Sequence, residues 1–430
     1  MENIQSRFER LGLFLPEILL PRAGIELEKW AVIACDQYTQ DRGYWEKAEN
    51  AVKGTPSTLN LIYPEVFLDD GDRIRRIDDI HRTMEQYLSE DIFSPPRRGC
   101  IYLERNTPFN SCRRGLVIAG DLEHYDWSPQ ARRLIRCTEG TVAERLPPRM
   151  DIRRKAALET SHILLLIDDD QDRLLPGLAE RAKRNAPVYH SALMAESGDL
   201  SGWFLDSEDH WDFIAAELEE LSRRSVSRYE NNNLPFIFAA GDGNHSLATA
   251  KEIWEEYKKS HAAEKRSGGN SADNPPVHPC RYALVEIENI YDPAMQFEPI
   301  HRVLFDVQPS ELLDSLASLK DISCKQEQSN SNVIRIENLS PQIATASLQP
   351  FLDSFVKQKN CSMDYIHGAD EVLRLAADKE RQAVGLILPP VKKDDLFKTV
   401  AKSGPLPRKS FSMGEAVEKR FYLECRRLFG

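Results

Sequence analysis

The chain has 430 residues, 41% of them hydrophobic and 29% charged, an ordinary globular balance that argues against wholesale disorder. The net charge of −12 argues against non-specific nucleic-acid binding as the main activity, so nucleic acid is an unlikely partner. The longest apolar runs are strand-sized, as at residues 163–167, which excludes an obvious membrane span. The first residues lack the apolar region of a signal peptide. The eight cysteines form no CxxC pair, which leaves a zinc cluster without support. A reducing cytoplasm is the expected compartment.

Taken in chain order, residues 30–35 read as a buried strand ending at the polar cluster Asp36-Gln37-Tyr38-Thr39, with a helix over 44–52. Residues 73–88 carry apolar side chains at helical spacing, and 99–103 and 115–119 read as paired strands. Residues 148–159 read as a helix and 161–167 as a strand, followed by a helix over 211–225. The charged, then Gly/Ser/Asn/Pro-rich stretch 258–276 reads as a mobile surface loop, and 281–288 as a strand. Beyond it, helices are expected over 311–319, 371–378 and 394–403, and a strand over 383–388. The tail 408–430 is expected to end in a helix of alternating charge. This pattern predicts an α/β (α+β) protein of mixed sheets with flanking helices. Its lobes fall near 1–130 (N-terminal α/β), 131–307 (a phosphate-binding core) and 308–430 (C-terminal α/β).

The most informative stretch is a buried strand, a turn and a helix start at residues 236–251. Gly241 and Gly243 permit positive φ or close backbone approach, while Asn244 and Ser246 can cap the helix. Backbone N–H groups at a helix N-terminus, reinforced by the macrodipole, suit an anion such as phosphate. Asp242 is a candidate for a water-mediated metal contact. The GxxxxGK[ST] spacing of a P-loop is absent, and so is the third glycine of a dinucleotide turn. An ordinary capped turn fits the same spacing.

Four other segments carry candidate chemistry. Arg136, Thr138, Glu139 and Thr141 fall within six residues, and Arg149 and Arg153 can share a helix face; arginine suits bidentate phosphate capture. Arg145 and Arg154 read as surface charges. Asp36 stands at the end of a buried strand, a favoured catalytic position and also that of a simple cap. Glu298, His301 and Arg302 fall within five residues, although a lone histidine is more often structural. Residues 407–415 form a basic, Gly-containing turn, a further candidate anion contact.

Together these segments resemble the family known as domain of unknown function one thousand and fifteen. The matching stretches are WAVIACDQYT (30–39), PSTL (56–59), RCTEGT (136–141), PPRMDIR (147–153), GDGNHSLATAK (241–251), FEPIHR (297–302) and FSMGEA (411–416), in order along one family-length unit. The resemblance implies a ParB/sulfiredoxin-like phosphate-binding core, the fold of free-serine kinases. It further implies a phosphotransferase that moves a phosphoryl group from pyrophosphate or a nucleotide (ATP/ADP), with Mg²⁺, to a small hydroxyl substrate, L-serine being the best guess. On that reading Asp36, Glu139 and His245 are catalytic. Arg136, Thr138, Thr141, Arg149, Gly241, Gly243, Asn244, His245, Ser246, His301 and Arg302 contact phosphate. Ser246 departs from the better-known branch of the family, where an arginine stands, and Arg136, Arg149 or Arg302 are candidates to replace it. Two alternatives stand beside the kinase: a non-catalytic ParB-like regulator that binds a nucleotide or metabolite and touches DNA, and a metal-dependent phosphate-ester hydrolase.

Overall fold

Short apolar segments from distant parts of the chain converge on one mixed sheet. The computed structural model describes residues 3–110, 112–229, 234–266, 278–327, 332–340, 342–377 and 382–429. Across the sheet the strands run Tyr189–Ala192, Asp199–Leu205, Cys100–Asn106, Arg113–Asp121, Tyr282–Asn289, Leu164–Ile167, Phe238–Asp242 and Ile135–Cys137, and Leu13–Phe14 pairs onto Arg113–Asp121. The first five are joined antiparallel. Tyr282–Asn289 then pairs parallel with Leu164–Ile167, and Phe238–Asp242 pairs parallel with Ile135–Cys137. Tyr282–Asn289 is buried along its whole length, as a strand covered on both faces must be.

The last parallel pair positions the site. Because Phe238–Asp242 and Ile135–Cys137 run the same way, the chain leaves both at one edge of the sheet. Thr138 clips the two exits together, its Oγ1 donating to the Ala240 carbonyl at 2.7 Å. The Gly241–Gly243 turn and Glu139 therefore emerge side by side.

A second sheet runs Ile322–Gln326, Val333–Asn338, Val384–Ile387, His301–Phe305 and Ser362–Ile366. Strand alternation divides its side chains. Leu304, Ile334 and Leu386 pack with Leu312, Leu348 and Leu352 from the helices Pro309–Leu316 and Thr345–Lys359. Val303, Val333 and Ile387 pack with Val372 and Ala376 of helix Ala369–Ala376. A third apolar cluster joins Leu166, Phe236 and Ala239 of the central sheet region to Phe397, Val400, Leu406 and Met413.

Mixed α/β architecture is thus as the pattern predicts, but several elements differ. The tail is extended rather than helical: Phe421–Tyr422 pairs with Val32–Ile33, and Cys425–Arg427 pairs with Leu158–Thr160. Two of its arginines, Arg420 and Arg426, are buried partners instead of part of a solvated face. Arg420 donates to Glu424 at 2.7 Å and also binds Glu286, while Arg426 binds Glu159. Burial of such charges is tolerated because each is paired and hydrogen-bonded. The helix expected over 148–159 is Leu146–Arg153, after which Leu158–Thr160 is strand. The strand expected over 30–35 shortens to Val32–Ile33, behind a helical turn Leu27–Trp30. Residues 258–266, expected in a loop, complete the helix Asn244–Arg266; the rest of that stretch, 267–276, lies outside the described residues, as does Asp378. No helix among the described residues is long and apolar enough to cross a membrane.

Candidate functional site

Beside the exits of Phe238–Asp242 and Ile135–Cys137 a polar cleft of about 970 Å³ opens. Asp36, Glu139, Arg149 and all of residues 241–246 line it. Segments more than two hundred residues apart in sequence thus share one wall.

The Gly241–Ser246 turn is fixed by glycine. Gly243 has φ +69°, and a Cβ there would come within 3.0 Å of the Ile163 Cα. At Gly241 a Cβ would come within 2.7 Å of the Leu166 side chain. The Gly243 N–H is satisfied by Asp242 Oδ1 at 2.8 Å. The first helical hydrogen bond runs from Leu247 N to Gly243 O, so the N–H groups of Asn244, His245 and Ser246 have no carbonyl within the helix. Asn244 Oδ1 is buried and lacks a hydrogen-bond partner. These groups bring unsatisfied polar atoms and the positive end of a long helix to one side of the cleft.

Six cationic side chains line the cleft: Arg42, Arg145, Arg149, Arg408, Lys409 and Lys419. Arg42 pairs with Asp70 at 2.8 Å, Arg149 with Glu65, and Lys419 with Asp242 at 3.2 Å. Among the described residues Arg145, Arg408 and Lys409 make no ion pair, and all three are exposed. Their charge is available to an anion. The same field acts on His245: burial, then Arg149, Arg145 and Arg408, push its pKa down to about 4. At neutral pH the ring is uncharged, with Nε2 placed to accept from the Val142 N–H at 3.3 Å and Nδ1 left as the protonated nitrogen.

The two carboxylates expected to be catalytic have opposite environments. Burial pushes the Glu139 pKa up to about 7, although the Ser410 N–H donates to its Oε1 at 3.3 Å. Asp36 Oδ2 lies 3.5 Å from Nε2 of His162. Burial opposes the Asp36 charge, but His162 outweighs it and holds the carboxyl well below the usual range. Reciprocally, burial lowers and Asp36 raises the His162 pKa, with a net rise. Tyr422 Oη sits 2.6 Å from His162 Nδ1, and Ser246 Oγ lies 3.4 Å from Nε2.

Five residues expected at phosphate do not line the cleft. Arg302 is fully buried; it donates to Gln349 at 2.8 Å, to the Ile300 carbonyl, and to the Lys409 carbonyl at 3.0 Å, and so anchors the basic loop from behind. His301 Nδ1 accepts the Leu388 N–H at 3.1 Å, and burial drives its pKa down to about 4. Arg136 is buried with its guanidinium 4.5 Å from the Phe236 ring centroid, and its two Nη atoms have no hydrogen-bond partner. Thr138 clips the strands, and Thr141 Oγ1 lies 3.9 Å from Cys137 Sγ. Of the three arginines considered as replacements at Ser246, Arg149 reaches the cleft.

Sequence reasoning missed His162, Glu65 and Lys419. His162 sits in the apolar run Ser161-His162-Ile163-Leu164, where it reads as strand filling. Lys419 lies in the tail taken for a helix. Their roles depend on long-range pairing that no local spacing displays.

Among the described residues no group of three or more His, Cys, Asp or Glu is arranged to hold a metal ion. Asp242, expected to hold a metal through water, is engaged by the Gly243 N–H at 2.8 Å and by Lys419 at 3.2 Å.

Fold and cleft define a mixed α/β protein with one strongly polar, cation-rich cleft at its sheet edge. The chain belongs to the family described as Protein of unknown function (DUF1015), which matches residues 19–394. No curated protein matches it. Among solved structures it is similar to a conserved hypothetical protein from Pyrococcus furiosus, at 8% identity and TM-score 0.32, covering 71% of this chain and 93% of that one. It is also similar to a mutant free serine kinase in complex with AMP, at 8% identity and TM-score 0.36, covering 71% of this chain and 90% of that one. A mutant of that kinase in complex with ADP gives 8% identity and TM-score 0.35 over the same shares.

Proposed function

We propose that the protein transfers a phosphoryl group from pyrophosphate or a nucleotide to the hydroxyl of a small acceptor, with L-serine the first acceptor to test. The observation that carries this reading is the convergence of the Gly241–Ser246 turn, Arg149, Arg408, Lys409 and the carboxylates Asp36 and Glu139 on one cleft. Phosphoryl transfer needs little covalent chemistry from the protein and much positioning and charge neutralisation, which is what such a cleft provides.

The donor's phosphates lie at the first-turn N–H groups, with Arg149, Arg408 and Lys409 neutralising charge as the transition state loosens. The acceptor oxygen forms a bond to phosphorus while the bond from phosphorus to the donor's bridging oxygen breaks, and that oxygen leaves with its electron pair. The acceptor proton passes to Asp36, kept ionised by His162. Glu139, half protonated near neutral pH, donates to a phosphate oxygen in its acid form. A Mg²⁺ bound to the donor's phosphates would neutralise their charge, and Asp242 is the residue that would hold it through a water.

Phosphorus NMR on purified protein with Mg²⁺, L-serine or a panel of alcohols, and pyrophosphate or ATP tests this. A new phosphomonoester signal that requires both donor and acceptor is the expected result. Donor loss at the same rate without acceptor would make the protein a hydrolase instead, and no turnover with any pair would remove the catalytic reading.

A further inference from the structure

A second space adjoins the cleft. It has a volume of about 140 Å³, and its lining is mainly apolar, including Leu61, Ile62, Met84, Ile152, Leu158 and Ile163. Glu65, Arg149 and Ser246 line both spaces, so the two share a wall. His162 and Tyr422 also face the recess, while Asp36, bound to His162, faces the cleft. The Asp36–His162 contact therefore crosses the boundary between a polar chamber and an apolar one.

Protein interiors seldom leave apolar space of this size empty, because the lining forfeits its packing contacts. Ligand pockets have the opposite character: apolar walls with a few polar groups that fix orientation. An apolar cavity of about 150 Å³ accommodates benzene, which sets the scale here at about six carbon atoms. The polar groups lie on the side shared with the cleft, so an occupant presents its polar end there.

We infer that the recess binds the acceptor, and that the acceptor is a hydroxyl compound carrying a compact apolar group of about this size, its hydroxyl at the wall formed by Glu65, Arg149 and Ser246. This rests on the phosphoryl-transfer reading of the cleft and narrows its acceptor class. L-serine has no such group and leaves the recess unfilled.

Calorimetric titration of wild-type protein with L-serine, L-threonine and β-phenylserine tests the size dependence without any need for turnover. Parallel titration with pyrophosphate reports on the cleft alone. β-Phenylserine should bind at least about tenfold more tightly than L-serine, the gain expected from burying an aromatic group. Ile152→Trp, which fills the recess, should erase that gain and leave pyrophosphate affinity within about twofold. If this variant does not fold, the wild-type series decides: equal affinity across the three compounds overturns the inference. A gain that persists in folded Ile152→Trp also overturns it. Size-dependent binding without pyrophosphate binding would leave the recess inference standing and sink the phosphoryl-transfer reading.

Discussion

His162 Nε2 lies 3.5 Å from Asp36 Oδ2, joining a residue of the Leu158–Ile167 segment to a loop more than a hundred positions earlier. The pair shifts each partner toward its charged form against the cost of burial. In the His162 case the folded pKa lies above 6.5, so the imidazolium's stabilisation is full below 6.5 and is lost as pH rises through the folded value. In the Asp36 case the folded pKa lies below 3.8, so its contribution is present above 3.8 and is lost as pH falls. Histidine NMR titration of the wild type should show His162 protonated above pH 6.5. Asp36→Asn should lower the His162 pKa, because only the weaker influence of Asp242 and Glu65 is then left to oppose burial. The same substitution should lower kcat by roughly 10²–10⁴-fold, the usual range for losing a general base. An unchanged His162 titration in Asp36→Asn would disprove the pairing.

Glu139 predicts a different pH dependence. Its carboxyl is raised to about 7 by burial, so the folded protein binds a proton that the unfolded chain has already released between about 4.5 and 7. Stability from this group therefore falls as pH rises across that interval, and Glu139→Gln should flatten that part of the curve in denaturant unfolding. Ionised Glu139 also repels a polyphosphate. Donor affinity should fall as pH rises through about 7 in the wild type, beyond the donor's own titration, and Glu139→Gln should lack that component.

Arg302 is expected to behave as a structural anchor. Removing its guanidinium leaves the buried Gln349 side chain and the Ile300 and Lys409 carbonyls without their donor. Each buried group left unsatisfied costs about 1–3 kcal/mol. Arg302→Met should lower the urea midpoint substantially, whereas Lys409→Ala should leave stability nearly unchanged and weaken pyrophosphate binding. A stable Arg302→Met protein that has lost phosphate binding would return Arg302 to the list of direct contacts.

Gly243→Ala tests the turn. The positive φ costs a residue with a Cβ about 1–2 kcal/mol, and the approach to the Ile163 Cα at 3.0 Å adds to it. The folded fraction should bind pyrophosphate more weakly than wild type, because the first-turn N–H groups shift with the turn. Calorimetry on the variant, at a temperature where it is folded, reads this directly.

The legible part of the site was local. Two glycines between an apolar strand and a helix marked residues 241–246, and polar residues ending a buried stretch marked Asp36 and Glu139. What stayed hidden depends on partners far away in sequence. The alternating charges of the tail fit a solvated helix equally well until Glu286 and Glu159 are seen beside Arg420 and Arg426. His301 and Arg302, close in sequence to Glu298, have the composition of a phosphate site, yet their polar atoms are taken by Leu388, Gln349 and Lys409. Residue type supplied the chemistry; only the pairing of strands decided which side chains face the cleft.

A structure of the protein with bound pyrophosphate tests the central claim most directly. The account predicts phosphate oxygens within hydrogen-bond distance of the Asn244, His245 and Ser246 N–H groups, flanked by Arg149, Arg408 and Lys409. Pyrophosphate held elsewhere, with those N–H groups facing only water, would contradict it.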